Sequence, residues 1–132
     1  MGEFARLCKK GVKECKKNAI EYAKELAEKL HSTVICKDAR TIVADSREKK
    51  IYINVSGNDG MATAGSGDVL SGILGSLLNA DMDSFDIAAA AAYIHGRAGD
   101  AAAKECGRYS MVASDIISAL PEVFERVTAS TT

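Results

Sequence analysis

The pattern of apolar and polar positions divides the chain into a mixed helix-and-strand first part and a helical second part. From Asn18 to Leu30, apolar residues recur every three or four positions, the period of a helix with one buried face. Three short runs rich in β-branched residues follow and predict strands at Thr33–Cys36, Thr41–Ala44 and Ile51–Ile53. The polar stretch 45–50 is expected to join the last two strands as a hairpin.

Three helices are predicted after the strands. The first runs from about Gly67 to Leu78, and its two internal glycines, Gly72 and Gly75, are expected where it packs closely on a neighbour. The second runs from Ile87 to about Glu105, with caps at 84–86 and a stop at Gly107.

The last predicted helix, Ile116–Leu120, is expected to be capped by Ser114 and Asp115. Pro121 either ends this helix or opens a further short turn that runs to Val127. The tail 128–132 is expected to be frayed.

A glycine-rich stretch from Gly57 to Asp68 leads directly into the first of these helices. A helix N-terminus exposes unpaired N–H groups with partial positive charge, and glycines let an anion approach the backbone closely. This combination predicts a phosphate site. Asp68 would repel phosphate as a simple ligand, so its carboxylate is interpreted as a base that takes a proton from an attacking hydroxyl.

Two better-known phosphate loops do not fit this stretch. Gly60 and Gly65 have the spacing of a P-loop, but Ser66 stands where the lysine should be. Gly65 and Gly67 could begin a dinucleotide fingerprint, but Leu70 stands where its third glycine should be. The remaining alternative is a glycine-rich turn that only leads into a tightly packed helix.

Composition and charge fit one folded domain without a nucleic-acid or membrane partner. The 132 residues are 47% hydrophobic and 27% charged, with a net charge of −1, so neither nucleic-acid nor membrane binding is expected. Residues 1–50 nevertheless carry 13 of the 17 Lys and Arg and only 8 of the 18 Asp and Glu. The densest basic stretch, 8–17, is interpreted as a solvated helical face. No apolar run is long enough to span a bilayer.

The cysteines and histidines have neither the spacing of a metal site nor that of a disulfide framework. Cys8, Cys15, Cys36 and Cys106 form no Cys-x-x-Cys pair, and they are interpreted as reduced thiols of a cytoplasmic protein. No metal ligands are predicted. His95, in an alanine-rich helix, is expected to be packed or capping rather than a general base.

Four segments closely resemble the ADP/ATP-dependent NAD(P)H-hydrate dehydratases, a branch of the ribokinase-like carbohydrate kinase superfamily. They are Asn54–Asn58, Met61–Leu70, His95–Asp100 and Ala113–Ile117. The resemblance covers nearly the whole chain but only the C-terminal half of that family. It implies an α/β fold, the C-terminal portion of a ribokinase-like three-layer α/β/α sandwich, with residues 1–132 forming a single partial domain whose N-terminal half is missing.

The resemblance implies repair of hydrated NADH or NADPH, dehydrated at the expense of ADP or ATP with Mg²⁺. The expected course is phosphoryl transfer to the ring hydroxyl, followed by elimination of phosphate. Asp68 matches the catalytic base and is expected to contact the substrate. Asp38 stands where the family usually has glycine and adds a negative charge. The expected nucleotide-binding residues are Lys37, Asp38, Ala39, Arg40, Thr41, Asn58, Gly60, Met61, Gly65, Ser66 and Gly67.

Several of these residues also have a plainly structural interpretation. Lys37 alone is typical of a surface lysine at a strand end, Asn58 could orient either a phosphate or the loop, and Met61 is more often a packing residue. Asp100 is expected to cap or orient structure. Three other functions remain open: a nucleotide-binding module without catalysis, a fragment that forms homo-oligomers through a free sheet edge, and a small-molecule kinase of the same superfamily.

Overall fold

The computed structural model describes residues 1–129 and divides the chain into two compact units. The first unit comprises Met1–Asn54 together with Met82–Ala89. The second comprises Val55–Asp81 and the chain from Ala90 onward.

The first unit places three helices and a small sheet around one core. Its helices are α1 (Gly2–Cys8), α2 (Val12–Lys17) and α3 (Ala19–Leu30), and its strands are β1 (Thr33–Cys36), β2 (Ile42–Asp45) and β3 (Ile51–Ile53). The strands form an antiparallel sheet in the order β1-β2-β3. Because β2 lies in the middle and all four of its residues are buried, it carries the densest packing against α3. The core residues are Phe4, Ala5, Cys15, Ala23, Leu26, Ala27, Cys36, Ile42 and Ala44.

The predicted elements of this unit are confirmed, with local corrections. β2 lies one residue later than predicted because Asp45, paired with Thr33, is still part of the ladder. Asp45 also holds the connection to β3, since its carboxylate accepts hydrogen bonds from the backbone N–H of Arg47 and Glu48. Leu30, expected on the buried face of α3, is instead 53% exposed at the last helical position, where His31 turns left-handed and ends the helix.

The basic stretch lies around α2, and its lysines are exposed, as predicted for a solvated helical face. α2 is fixed to α3 by the Tyr22 hydroxyl, which donates a 2.5 Å hydrogen bond to the Glu14 carboxylate. That bond to a carboxylate raises the pKa of Tyr22 to about 12.

The second unit is helical. A single 3-10 turn (Asp59–Met61) precedes α4 (Ser66–Leu77), and α6 (Ala113–Ser118) and α7 (Leu120–Ala129) end the described chain. The long helix α5 (Ser84–Cys106) contributes its first residues to the first unit and the rest to the second. α5 ends at Cys106, and Gly107, the predicted stop, follows it with a φ of 78°.

Three helix starts differ from prediction. α5 begins at Ser84 because Asp83 caps it, accepting from the N–H of Asp86, so the predicted caps lie inside the helix. α6 begins at Ala113, and the Asp115 carboxylate accepts from the N–H of Val112 from within the first turn. Pro121 lies at the start of α7, which confirms the second of the two alternatives but gives a helix rather than a short turn.

Two other expectations concern α4 and the tail. A Cβ at Gly72 or Gly75 would meet no atom of the described chain within 4 Å, so the predicted close packing at these glycines is wrong for this chain. Of the predicted frayed tail, residues 128 and 129 belong to α7, and the remainder lies outside the described residues.

Candidate functional site

The N-terminus of α4 exposes backbone donors. Gly65 caps the helix with a φ of 83°, a left-handed conformation that favours glycine. The N–H of Ser66 donates to the carbonyl of Thr63 at 3.3 Å, and the N–H of Val69 donates to Gly65 at 3.0 Å. Within the described residues, the N–H groups of Gly67 and Asp68 have no such partner. These two amides are therefore available to an anion, which the helix dipole also favours.

The carboxylate of Asp68 stands beside these free amides. Asp68 is the third residue of α4, exposed, and its side chain makes no hydrogen bond or ion pair within residues 1–129. An acidic residue at this position often folds back to cap its own helix. Since Asp68 does not, its oxygens remain free to accept a proton or a hydrogen bond from a bound molecule.

Gly67 leaves the front of the loop open. It is exposed, and a Cβ built on it would meet nothing within 4 Å. The glycine is thus not required by packing inside this chain. A side chain here would instead occupy the space through which a ligand approaches the two free amides.

The start of the glycine-rich stretch is anchored to α5 by hydrogen bonds. The carboxylate of Asp100 accepts from the Gly57 N–H at 3.0 Å and from the Asn58 side-chain amide at 3.1 Å. Asn58 donates as well to the Gly99 carbonyl, and its side-chain oxygen accepts from the Gly60 N–H. Of the two interpretations left open for Asn58, the structure supports a role in holding the loop. Asp100 orients the loop, as predicted.

Close backbone packing fixes the same segment. A Cβ on Gly96 would lie 2.1 Å from the Ser56 hydroxyl oxygen and 2.8 Å from the Ser56 carbonyl carbon. A Cβ on Gly99 would lie 2.2 Å from the sulfur of Met61. These two helical glycines form a groove into which the loop fits, and Met61 is buried there as a packing residue.

The far end of the loop is held by a buried histidine. The Ser66 hydroxyl lies 3.3 Å from Nε2 of His95, and both residues are buried. His95 is therefore a packed residue, as predicted. The Ser66 side chain is therefore hydrogen-bonded to His95 beneath the loop.

The segment Lys37–Thr41 belongs to the first unit. It follows β1 in a bend, with Lys37 half-buried, residues 38–40 exposed and Thr41 buried. Thr41 fixes the end of this bend because its carbonyl accepts from the N–H of Asn54 at 2.8 Å. The side chains of Lys37, Asp38 and Arg40 make no hydrogen bond or ion pair with the described residues, so each is available to a ligand.

The candidate residues of the second unit therefore fall into two groups. Asn58, Gly60, Met61 and Ser66 shape the loop from beneath, whereas Gly65, Gly67 and Asp68 form its exposed rim. Gly60 belongs to the first group because a Cβ there would lie 2.5 Å from the Arg108 carbonyl oxygen.

Sequence reasoning missed the part that Gly96 and Gly99 play. Two glycines three residues apart inside a predicted helix could have indicated it. Glycine lowers the stability of a helix, so it is expected there mainly where another backbone approaches closely. Within the described chain, no group of three or more His, Cys, Asp or Glu side chains is arranged to hold a metal ion.

Comparison with known proteins identifies the family. A carbohydrate-kinase family model, described as NAD(P)H-hydrate dehydratase, matches residues 1–122. The chain belongs to the NAD(P)H-hydrate dehydratase family. Among curated members, the bifunctional NAD(P)H-hydrate repair enzyme of Moorella thermoacetica is 40% identical over 126 residues, which is 96% of this chain and 24% of that protein. The ADP-dependent (S)-NAD(P)H-hydrate dehydratase of Neisseria meningitidis is 38% identical, over 97% of this chain and 43% of that protein.

Solved structures of the family confirm the fold. The ADP/ATP-dependent NAD(P)H-hydrate dehydratase of Bacillus subtilis, co-crystallised with ATP and Mg²⁺ and soaked with CoA, matches 95% of this chain with a TM-score of 0.88 at 30% identity. The match covers 46% of that enzyme. The predicted fold class, part of a ribokinase-like α/β fold, is confirmed. The chain spans less than half the length of these relatives. No helix within residues 1–129 is both long and apolar enough to cross a membrane.

Proposed function

We propose that this chain supplies the phosphate-binding loop and the catalytic base of an ADP/ATP-dependent NAD(P)H-hydrate dehydratase. The observation that carries the proposal is the pairing of two free backbone amides, Gly67 and Asp68, with the free Asp68 carboxylate on the first turn of α4. An anion-stabilising group and a base are thereby held on one rigid element. Residues 1–132 would form part of one ribokinase-like domain.

The exposed rim would hold the phosphate that is transferred. Phosphoryl transfer requires positioned donors that take up charge on the phosphate oxygens, and backbone amides at a helix N-terminus provide them without any movement. The residues beneath the loop would act indirectly, by holding the loop in its shape. They are Asn58, Gly60, Met61 and Ser66. Mg²⁺ bound with the nucleotide would neutralise further phosphate charge, and its preference for water ligands fits the lack of a carboxylate cage in the described chain.

Asp68 would take the proton of the hydroxyl group on the hydrated nicotinamide ring. As that proton moves to the Asp68 carboxylate, the hydroxyl oxygen bonds to the terminal phosphorus of the nucleotide and the phosphoanhydride bond breaks. The C–O bond to this phosphate would then break, a proton would leave the adjacent ring carbon to form the ring double bond, and inorganic phosphate would be released, which completes the dehydration. The base also has to lie within hydrogen-bond reach of the hydroxyl, which the free carboxylate permits.

The segment Lys37–Thr41 would contribute further nucleotide contacts. Lys37 and Arg40 offer cations to phosphate, and the buried Thr41 fixes the bend from which they extend. Asp38 opposes them with a negative charge where the family usually has glycine, so nucleotide affinity is expected to rise when Asp38 is replaced by glycine.

We further propose a cytoplasmic protein that self-associates. Within the described residues β3 is an edge strand whose only neighbour in the sheet is β2, and Ile53 on β3 is 40% exposed. A second copy could extend the sheet there.

The direct test is the rate of dehydration of hydrated NADH by the chain combined with the remaining part of a family member. Asp68→Asn should lower the turnover rate by on the order of 10²–10⁴, the contribution of a general base, while ADP and ATP affinity changes little. Asp81→Asn, an exposed aspartate of the same unit, is the matched control. An Asp68→Asn enzyme with near-normal turnover would contradict the assignment of the base.

A further inference from the structure

The second unit contains a cavity that the proposed reaction does not use. Its volume is about 130 Å³, and it lies between α5 and α7. Tyr93, Arg97, Asp100 and Lys104 line it from α5, and Glu122 and Arg126 line it from α7. The cavity is thus surrounded by three cations and two carboxylates.

The two carboxylates are already engaged. Arg97 and Lys104 stand three residues before and four residues after Asp100, positions from which a helix cation commonly pairs with a carboxylate. Neither does so; the two Asp100 oxygens accept instead from the Gly57 N–H and the Asn58 amide. Glu122 is paired with Arg126 on α7.

Two cations consequently line the cavity outside any ion pair, and together with the charge of Asp100 they leave its lining with one positive charge in excess. Within residues 1–129, Arg97 and Lys104 form no ion pair or hydrogen bond. An anion bound beside both side chains would neutralise this excess positive charge. The planar guanidinium of Arg97 can bind an oxyanion with two parallel hydrogen bonds, and Lys104 adds a point charge.

We propose that this cavity is a second anion site, for inorganic phosphate or the phosphate group of a small metabolite. Its volume is well below the roughly 300–1,000 Å³ of sites for larger organic ligands, which favours a compact oxyanion over a whole nucleotide. The site is distinct from the rim of the glycine loop and does not depend on the proposed dehydratase activity. Asp100 nevertheless lines the cavity and holds the loop, so the two sites share one side chain.

Titration of the isotopically labelled chain with inorganic phosphate, at constant ionic strength, tests the proposal by NMR. Saturable shifts are expected at residues 97–104 and 122–126. The double variant Arg97→Gln, Lys104→Gln should weaken this binding by about tenfold or more, because charge-assisted hydrogen bonds are lost. Lys24→Gln, Lys29→Gln removes the same charge from the first unit and should change the affinity by less than about twofold.

Two further variants distinguish this site from the loop and from misfolding. Gly67→Val should remove shifts at residues 65–68 and leave those around the cavity unchanged. Arg97→Lys keeps the charge but loses the two-pronged donor, so it should weaken binding several-fold in a chain that still folds. The proposal is overturned if no saturable shift appears around the cavity up to about 50 mM phosphate. It is also overturned if both Arg97 variants bind as the unchanged chain does.

Discussion

At the scale of single residues, glycine is needed for different reasons in the loop and in α5. Gly65 and Gly57 have positive φ values of 83° and 101°, a backbone conformation that favours glycine over other residues. Gly96 and Gly99 are helical and are needed because another segment lies against them. Neither reason applies to Gly67, because it lacks a positive φ and a Cβ there would meet nothing within 4 Å. The proposed approach of a ligand to the adjacent amides would account for a glycine at this position.

Gly96→Ala should destabilise the fold. Its new Cβ would meet the backbone of Ser56, which cannot turn aside as a side chain can, and such overpacking costs about 1–3 kcal/mol. Gly72→Ala is the matched control, since it adds a Cβ to an open helical position and should stabilise by roughly 0.5–1 kcal/mol. Urea unfolding measures both changes. Equal effects of the two substitutions would mean that the loop does not lie against Gly96.

Asp100→Asn tests the anchor of the loop. Both carboxylate oxygens accept hydrogen bonds, so an amide would place an N–H₂ group against a donor and leave one bond unmade. The expected loss is about 1–3 kcal/mol in the free energy of unfolding. Asp81→Asn, at an exposed position whose side chain makes no hydrogen bond or ion pair within residues 1–129, should be near neutral in the same assay. A neutral Asp100→Asn would refute this anchor.

At the scale of elements, the connection between β2 and β3 depends on one carboxylate. Asp45 accepts from the N–H of Glu48, from the Thr33 hydroxyl and from the N–H of Arg47, at distances of 3.0, 2.8 and 2.9 Å. These hydrogen bonds favour the charged form and hold the pKa of Asp45 below its ordinary value of 3.8. Asp45 thus joins the turn to the strand on the far side of the sheet.

This depressed pKa predicts an acid-sensitive hairpin. The unfolded chain binds the proton more readily than the folded chain, so the stabilisation is fully present above about pH 4 and is lost as the pH falls through the folded pKa. Unfolding free energies measured from pH 6 down to about pH 2 should therefore fall more steeply for the unchanged chain than for Asp45→Asn. Asp86→Asn is the control, and identical slopes for all three proteins would contradict the account.

From Asn18 onward the elements are largely predictable from sequence, and the exceptions there have physical causes, whereas the helix α1 is not predicted. Hydrophobic period and β-branched runs located α3, β1 and β3 to within one residue. The starts of α5 and α6 were misplaced because aspartates compete as caps, and only the geometry shows whether Asp83 or Ser84 does so. The α4 glycines were misjudged because the sequence cannot show which atoms lie near a helix face.

For the candidate site, the sequence predicts where the loop lies. It does not predict which loop residues form the exposed rim and which lie beneath the loop. Glycine content and a following helix indicate a phosphate loop, and Asp68 was identified from the same pattern. That Asn58 and Ser66 bind beneath the loop depends on Asp100 and His95, which are about 30 to 40 residues away in the chain. Such long-range partners leave no local signal.

At the scale of the whole molecule, the chain matches a family whose members are more than twice its length. It carries exposed large apolar residues in both units, among them Leu7, Val12, Leu30, Leu78 and Ile117. Exposed apolar surface and a free strand edge both favour association. Light scattering coupled to gel filtration should therefore find a mass above that of one chain, and Ile53→Lys should reduce it. A monodisperse monomer would rule out self-association.

The rim of the glycine loop is proposed to bind the phosphates of the nucleotide. Calorimetric titration with Mg-ADP and Mg-ATP tests it most directly, with Gly67→Val to block the rim and Gly72→Ala as a control elsewhere on α4. We expect saturable binding that Gly67→Val weakens by about tenfold or more and Gly72→Ala leaves unchanged. Absence of binding at millimolar nucleotide, or equal affinity of the two variants, would contradict it.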